Sequence, residues 1–388
     1  MMRSGNLVAI SMALSLALAL PSASAAAVDP PPRDAGHSLA ANAALKYWQA
    51  FALMPSLDKN QENRLADWNK IPLDGPALEL IAAFGESRQS LLRGAKLRDC
   101  DWGLDYQDGM GLLLPHLAKA RDLARLAALH ARHEIAQGHV EAAAEDAAAI
   151  LALARHVGSD PIVISILVRY LIEGTAIDLM AANLPDLQAL APGILSAYET
   201  LPPGATFQQA YLTMEKEHTI RWLIEKMRTA EARKKGAWRK VWKDATDRPG
   251  GLDVINRVDT IERAVQLTED LLPVCDDLAA LVALPTAEFD ARYPEFKKKT
   301  EAAHPLAAYF LTTSDTVLVT LRRNEARLTM LKAAIAVVRG GPDKLKDIKD
   351  PFGAGPFEYR PLGKGFELKS KLLFQNQPVT LTVGPGNK

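Results

Sequence analysis

The sequence predicts a mainly α-helical fold, a multi-helix bundle or short helical-hairpin array closed by a small antiparallel β hairpin. Three observations predict it. Apolar residues recur at three and four positions from about Leu39 to Gly340. Ala and Leu are abundant while aromatics make up 6%. After Pro342 the period changes to two.

The first 25 residues do not belong to that fold. Met1, Met2 and Arg3 form a short positive start, Leu7 to Leu20 is almost wholly apolar, Pro21 breaks the run, and Ala23-Ser24-Ala25 is a small-x-small cleavage pattern. This is the pattern of a secretory signal peptide, too short in its apolar core to be a membrane anchor. The expected mature chain starts at Ala26, is periplasmic or secreted, and has no transmembrane anchor. Removal of 25 residues from 388 leaves 363, about two domains' worth or one elongated helical domain at roughly 150 residues each. A Pro-rich leader (26–37) precedes a helical body (38–341) and a C-terminal β appendage (342–388).

In the body, Leu45, Trp48 and Ala52 share one helix face, and Pro55 and Pro72 to Pro76 punctuate the turns that follow. Asp99 to Gly111 is turn-rich. Pro115 to Val157 reads as a helical hairpin broken at Gly138, with Leu123, Leu126, His130 and His133 on one arm. Ala143, Ala147, Ile150, Leu151 and Ala154 form the inner face of the other. Asp160-Pro161 is a helix start. The helix after it, 162–180, is apolar nearly all round and reads as central and buried; Arg169, Glu173 and Asp178 exclude a membrane span. Further helices are expected at about 187–199, 205–235 and 252–272, separated by Pro202-Pro203 and Arg248-Pro249-Gly250-Gly251. The longest, 305–338, opens at Pro305 and carries Phe310, Val317, Leu321, Leu328, Leu331, Ile335 and Val338 as a packing stripe. Phe357 to Arg360 and Phe366 to Lys369 alternate as hairpin strands around a loop from Pro361 to Gly365, with Val379 to Val383 as a third strand.

Three stretches carry resemblances. Tyr47-Trp48-Gln49-Ala50-Phe51, Cys100-Asp101-Trp102-Gly103-Leu104-Asp105-Tyr106 and Leu114-Pro115-His116-Leu117 resemble a family of exported, Ala/Leu-rich bacterial helical proteins without assigned activity. That resemblance implies fold and location only. Ala131 to Ala154, with Gly138, Ala143, Ala147 and the following Pro161, resembles one tetratricopeptide hairpin (about 121–157). One copy is fewer than the three a solenoid needs. Asp350-Pro351-Phe352-Gly353 with Pro356 to Arg360 and Gly365-Phe366 resembles the C-terminal β segment of type II secretion pseudopilins. The methylation start and the calcium loop of that family are missing, so only local β geometry is implied.

Lys and Arg equal Asp and Glu at 46 each, so no global field draws nucleic acid or an anionic membrane. No P-loop, dinucleotide glycine pattern, Gly-x-Ser-x-Gly or His-Glu-x-x-His occurs, and no cofactor is predicted. Glu215-x-x-His218 and Glu301-x-x-His304 have the helical spacing of di-iron carboxylate bundles, which need two further acids such as Glu173 and Glu269. Chance is the competing explanation, and Pro305 places His304 ahead of a helix rather than inside one. His130, His133, Glu134 and His139 cluster at one helix end, where His130 and Glu134 could share a metal. On the apolar stripe of Leu123 and Leu126, however, a histidine is more often a core residue. Arg169 and Glu173 read as a buried ion pair. Asp99, Asp101, Asp105 and Asp108 lack EF-hand spacing and suit turns. Cys100 and Cys275 either pair in an oxidising compartment or sit apart as buried thiols. Lys226 to Lys243, with Arg233, Lys234, Lys235, Trp238, Arg239, Lys240 and Trp242, could bind an anionic surface, or could pack its indoles on the body. The leading expectation is a binding or scaffold protein with a protein or peptide partner in the cell envelope. The alternative is an envelope enzyme, a metal- or carboxylate-dependent hydrolase. A third reading makes the C-terminal strands an assembly edge that is separable from a helical body folding without them.

Overall fold

The computed structural model describes residues 41–246, 258–304 and 306–385. The signal-peptide pattern, the Pro-rich leader, the Arg248 to Gly251 separator and Pro305 lie outside the described residues, as does the Phe310 side chain. The described residues belong to one compact unit. Its described residues contain fifteen α-helices, one π-helix and a three-stranded sheet.

The helices are α1 (Ala43–Ala52), α2 (Lys59–Ala66), α3 (Gly75–Ala95), α4 (Pro115–Ala136), α5 (Val140–Val157), α6 (Val163–Ala182), α7 (Leu184–Leu187), α8 (Ala191–Thr200) and α9 (Phe207–Ala210). A π-helix, Tyr211–Arg221, runs directly into α10 (Trp222–Arg233). Then come α11 (Trp238–Thr246), α12 (Ile261–Glu269), α13 (Leu271–Val282), α14 (Thr286–Ala303) and α15 (Ala307–Gly340). The α4–α5 hairpin forms as its periodicity predicts, turning at Gly138 with φ +83°; its five inner-face residues on α5 are all fully buried.

Several elements depart from expectation. The stretch 205–235 is three consecutive segments with the π-helix at its middle. Helix α14 persists through Pro294. Helix α6 begins at Val163, not at Pro161, and Asp160 accepts the Tyr106 hydroxyl (2.7 Å) instead of capping the helix. One side of α6 reaches solvent at Ile164 and Leu171, 42% and 54% exposed.

The described residues form three buried apolar clusters. The largest joins α1, α3, α4, α5, the later part of α6, the second half of α15 and the sheet. A second gathers Val163 and Ile166 of α6 with Phe207, Leu278, Phe289 and Leu311. A third holds Ile220, Met227, Trp238, Trp242, Leu267 and Cys275.

The sheet is a meander of β1 (Glu358–Leu362), β2 (Gly365–Phe374) and β3 (Gln377–Val383). Pairing of Leu362 with Gly365 leaves a two-residue turn, not the five-residue loop the sequence suggested. Pro361 is tolerated because β1 is an edge strand. Gln375 and Asn376, with φ of 50° and 60°, make the second tight turn. Phe366, Leu368, Leu381 and Val383 point into the largest cluster against α15 and α6. The sheet is thus part of the main core. Asp350 pins its approach: buried, it accepts Ser370 Oγ–H (2.9 Å) and the Phe352 and Lys371 amides (3.0 and 2.6 Å).

Candidate functional site

The three stretches that carry the exported-family resemblance meet in space. On α1, Tyr47 and Phe51 are one turn apart and face inward, while Trp48 lies at the rim. Asn42 caps α1 through the Ala44 amide (3.0 Å). It also clamps the turn-rich loop, donating to Asp101 O (2.8 Å) and accepting the Asp101 amide (2.9 Å). Asp101 Oδ1 takes the Gly103 amide (2.8 Å), and Gly103 has φ +69°, a conformation that favours glycine.

This clamp feeds Trp102 into a box of rings. Its indole stacks on His116 (4.4 Å), Tyr47 (5.8 Å) and Phe51 (6.1 Å). Its Nε1–H donates to His156 O (2.9 Å). The Tyr47 hydroxyl donates to His156 Nδ1 (2.7 Å), and His156 Nε2–H donates to Arg98 O (3.3 Å), which fixes a neutral tautomer. Tyr47 lies so close to α3 that a Cβ on Gly94 would sit 2.7 Å from its ring.

His116 has both ring nitrogens buried without a hydrogen-bond partner. Burial pushes it down to about 4, and burial likewise lowers His156 to about 4. The folded state holds both rings neutral, whereas the unfolded chain protonates them near pH 6.5. Unfolding therefore takes up protons between these values. Stability is complete above pH 6.5 and falls as pH drops toward 4, by about 3 kcal/mol per ring. The raised carboxyls of Asp122, Asp146 and Asp160 act in the opposite direction and offset part of this. His116→Phe is expected to remove its share of the slope and to gain roughly 1 kcal/mol at pH 7 by deleting two unpartnered nitrogens. Denaturant midpoints at pH 7 and 4.5 measure both effects, and an unchanged slope in the variant would refute the assignment.

The rim of the box is exposed. Trp48 is 37% accessible and meets Trp102, His116 and Phe51 edge-on. Leu45, one turn earlier, is 42% exposed, and Leu113, three residues before His116, is 68% exposed. Phe51 also walls a cleft of about 310 Å³ with Met54, Leu57, Glu62, Lys119 and Asp122. Burial raises the Asp122 carboxyl despite Arg125 at 3.2 Å.

The remaining sequence candidates fall in separate places. His130 and Glu134 do approach (3.7 Å), and His139 reaches Glu134 (3.0 Å). The organising residue is Asp146, fully buried, with His130 Nδ1 at 2.6 Å and the Arg88 Nε–H donor at 2.6 Å. Sequence reading missed Asp146 and Arg88. The available signal was an acid one turn from Ala143 on the inner face of α5. Arg169 and Glu173 form the expected ion pair (2.7 Å), joined by Tyr198 Oη–H and by Asn324 Nδ2–H (2.5 Å).

Glu215 and His218 lie in the π-helix, whose wider turn removes the shared face that an α-helix gives residues three apart. His218 instead packs beside the Tyr106 ring (5.4 Å). His304 caps the end of α14 outside the helix. Its Nε2–H donates to Leu267 O (2.9 Å) and its Nδ1 accepts the Leu306 amide (3.1 Å), so both ring nitrogens are engaged. Glu301 faces Lys297 (3.9 Å), and Glu269 pairs with Arg228 (2.8 Å). Among the described residues no three His, Cys, Asp or Glu side chains are grouped to hold a metal ion. Cys100 and Cys275 are free thiols in different clusters, so the disulfide alternative is not realised; burial raises both. Trp238 and Trp242 are 3% and 4% exposed, which removes them from the surface-binding set. Among the described residues no helix is long and apolar enough to cross a membrane.

No family model, curated protein or solved structure matches this chain.

Proposed function

We propose that this chain is an exported helical binding or scaffold protein of the cell envelope, and that the rim of the aromatic box receives a protein or peptide partner. The observation that carries the reading is the convergence itself. Three separated stretches build one rigid ring cluster, and its edge leaves Leu45, Trp48 and Leu113 exposed. A rigid aromatic anchor on a preorganised base is what a binding hot spot requires. Side chains that catalysis would recruit are held in structural hydrogen bonds: His304 by the backbone of Leu267 and Leu306, Glu173 by Asn324, and Asp146 by Arg88. Kinship with the exported helical family belongs to the same proposal, since its three stretches are the ones that meet.

A photo-crosslinking residue at Leu113 is expected to give a discrete adduct in intact cells. Trp48→Ala should abolish it while circular dichroism shows the variant still folded, at a cost of about 2 to 3 kcal/mol from the lost ring contacts. No adduct, or one indifferent to Trp48, would sink the partner reading. A mature chain beginning at Ala26 outside the cytoplasm is the expected product of export, and an uncleaved cytoplasmic chain would sink that part.

A second reading has one observation behind it. Asp146 holds His130 Nδ1 and leaves Nε2 toward Glu134, an arrangement able to pass a proton. It suits a carboxylate-dependent hydrolase, and His130→Gln would then abolish turnover on an ester and peptide panel.

A further inference from the structure

Between Lys226 and Lys243 stand eight Lys and Arg residues against one acid, Glu231, in a chain with 46 of each sign. The rest of the molecule therefore carries the compensating excess of acid, and the charge distribution is polarised although the net charge is zero. The fold gives this stretch a defined form. Helices α10 and α11 bury Leu223, Met227, Trp238 and Trp242 in the third cluster. Arg233, Lys234 and Lys235, at the turn between them, are exposed, as are Arg239, Lys240 and Lys243 on α11. The lone acid does not neutralise the turn from outside: Glu231 accepts the Gly236 amide (2.6 Å), at the residue whose φ of +83° makes the bend. Arg239 lies over the Trp238 ring (4.7 Å) and donates to Asp259 O (2.6 Å), while Lys240 meets Asp244 (2.5 Å).

We propose that this cationic tip docks the protein electrostatically on an anionic bilayer surface, with both indoles remaining in the core. Charge complementarity carries the proposal. The exposed cations run around a helix–helix turn, which suits an extended array of lipid phosphates better than a single bound ion. The acid excess elsewhere repels the same surface and so orients the tip toward it. Because the apolar face of α11 is already occupied, attachment is peripheral and needs no insertion. The proposal does not depend on the partner reading or on export, since anionic leaflets occur on either side of a membrane.

The test is cosedimentation of the protein, as purified from its own host, with vesicles of phosphatidylcholine alone or with about a third phosphatidylglycerol. The expected result is binding to the anionic vesicles at about 0.1 M salt, where the screening length is about 10 Å, and release at about 0.5 M. Lys234→Gln, Lys235→Gln and Arg239→Gln together should weaken it about a hundredfold, at roughly fivefold per charge, with an unchanged melting temperature. Brominated lipids should leave tryptophan fluorescence unquenched. Four results would overturn the proposal: no preference for anionic vesicles, binding that survives high salt, binding indifferent to the triple variant, or quenching by brominated lipid. Retention on a soluble polyanion such as single-stranded nucleic acid without vesicle binding would assign the tip to a different partner.

Discussion

Glu173→Ala is expected to cost about 3 to 5 kcal/mol of stability, because it leaves a buried guanidinium without its counter-charge. Glu173 is 1% exposed and ties together α6, α8 and α15 by accepting from Arg169, Tyr198 and Asn324. Arg169 has nowhere else to go. A Cβ on Gly158 would stand 2.4 Å from its Cδ, and one on Gly204 would stand 2.3 Å from its Nη1. The same logic makes the double variant Arg169→Met, Glu173→Leu milder than Glu173→Ala, since it removes both charges and keeps the volume, leaving only the Tyr198 and Asn324 donors to find new partners. Urea denaturation of the two single variants and the double variant measures the coupling. A loss below about 1 kcal/mol for Glu173→Ala would show that water reaches the site.

Ending the chain after Gly341 is expected to unfold the helical body as well. The removed segment supplies Leu345, Phe357, Phe366, Leu368, Val379, Leu381 and Val383, all buried in the cluster that also contains Ala326, Met330, Ala333, Ala334 and Val337 of α15. Seven such side chains contribute roughly 10 to 20 kcal/mol at the usual value per buried group, comparable to the whole stability of a domain. The alternating strands read from the sequence as separable, and their integration into the core reverses that expectation. Circular dichroism melting of the shortened chain decides the matter. A cooperative transition within about 5 °C of the full chain would mean that the body folds without the sheet.

What was legible in the sequence was whatever depends on local period. The α4–α5 hairpin and α15 follow from apolar spacing, Gly138 and Gly340-Gly341-Pro342. The π-helix was not legible, because its residues have ordinary helical propensities. Helix α14 was hidden by Pro294, and the tight β1–β2 turn by Pro361, which an edge strand accommodates. Site residues divide in the same way. Arg169 and Glu173 announce themselves as charges one turn apart in an apolar helix, whereas Asp146 and Arg88 are 58 positions apart and meet only through the packing of α3 on α5. The ring box was visible as three stretches and not as one place.

Helix α15 has a consequence for how the protein is made. It runs along α6 on one flank and the sheet on the other, and Val383, third from the end of the described chain, is 1% exposed. The amide of Gly384 donates to Ala181 O at the end of α6 (2.9 Å). Synthesis runs from the N-terminus, so the earlier helices of the main core, α1 and α3 to α6, must wait for the sheet before that core can seal. The helices of that core therefore stay incompletely packed until β3 has been made.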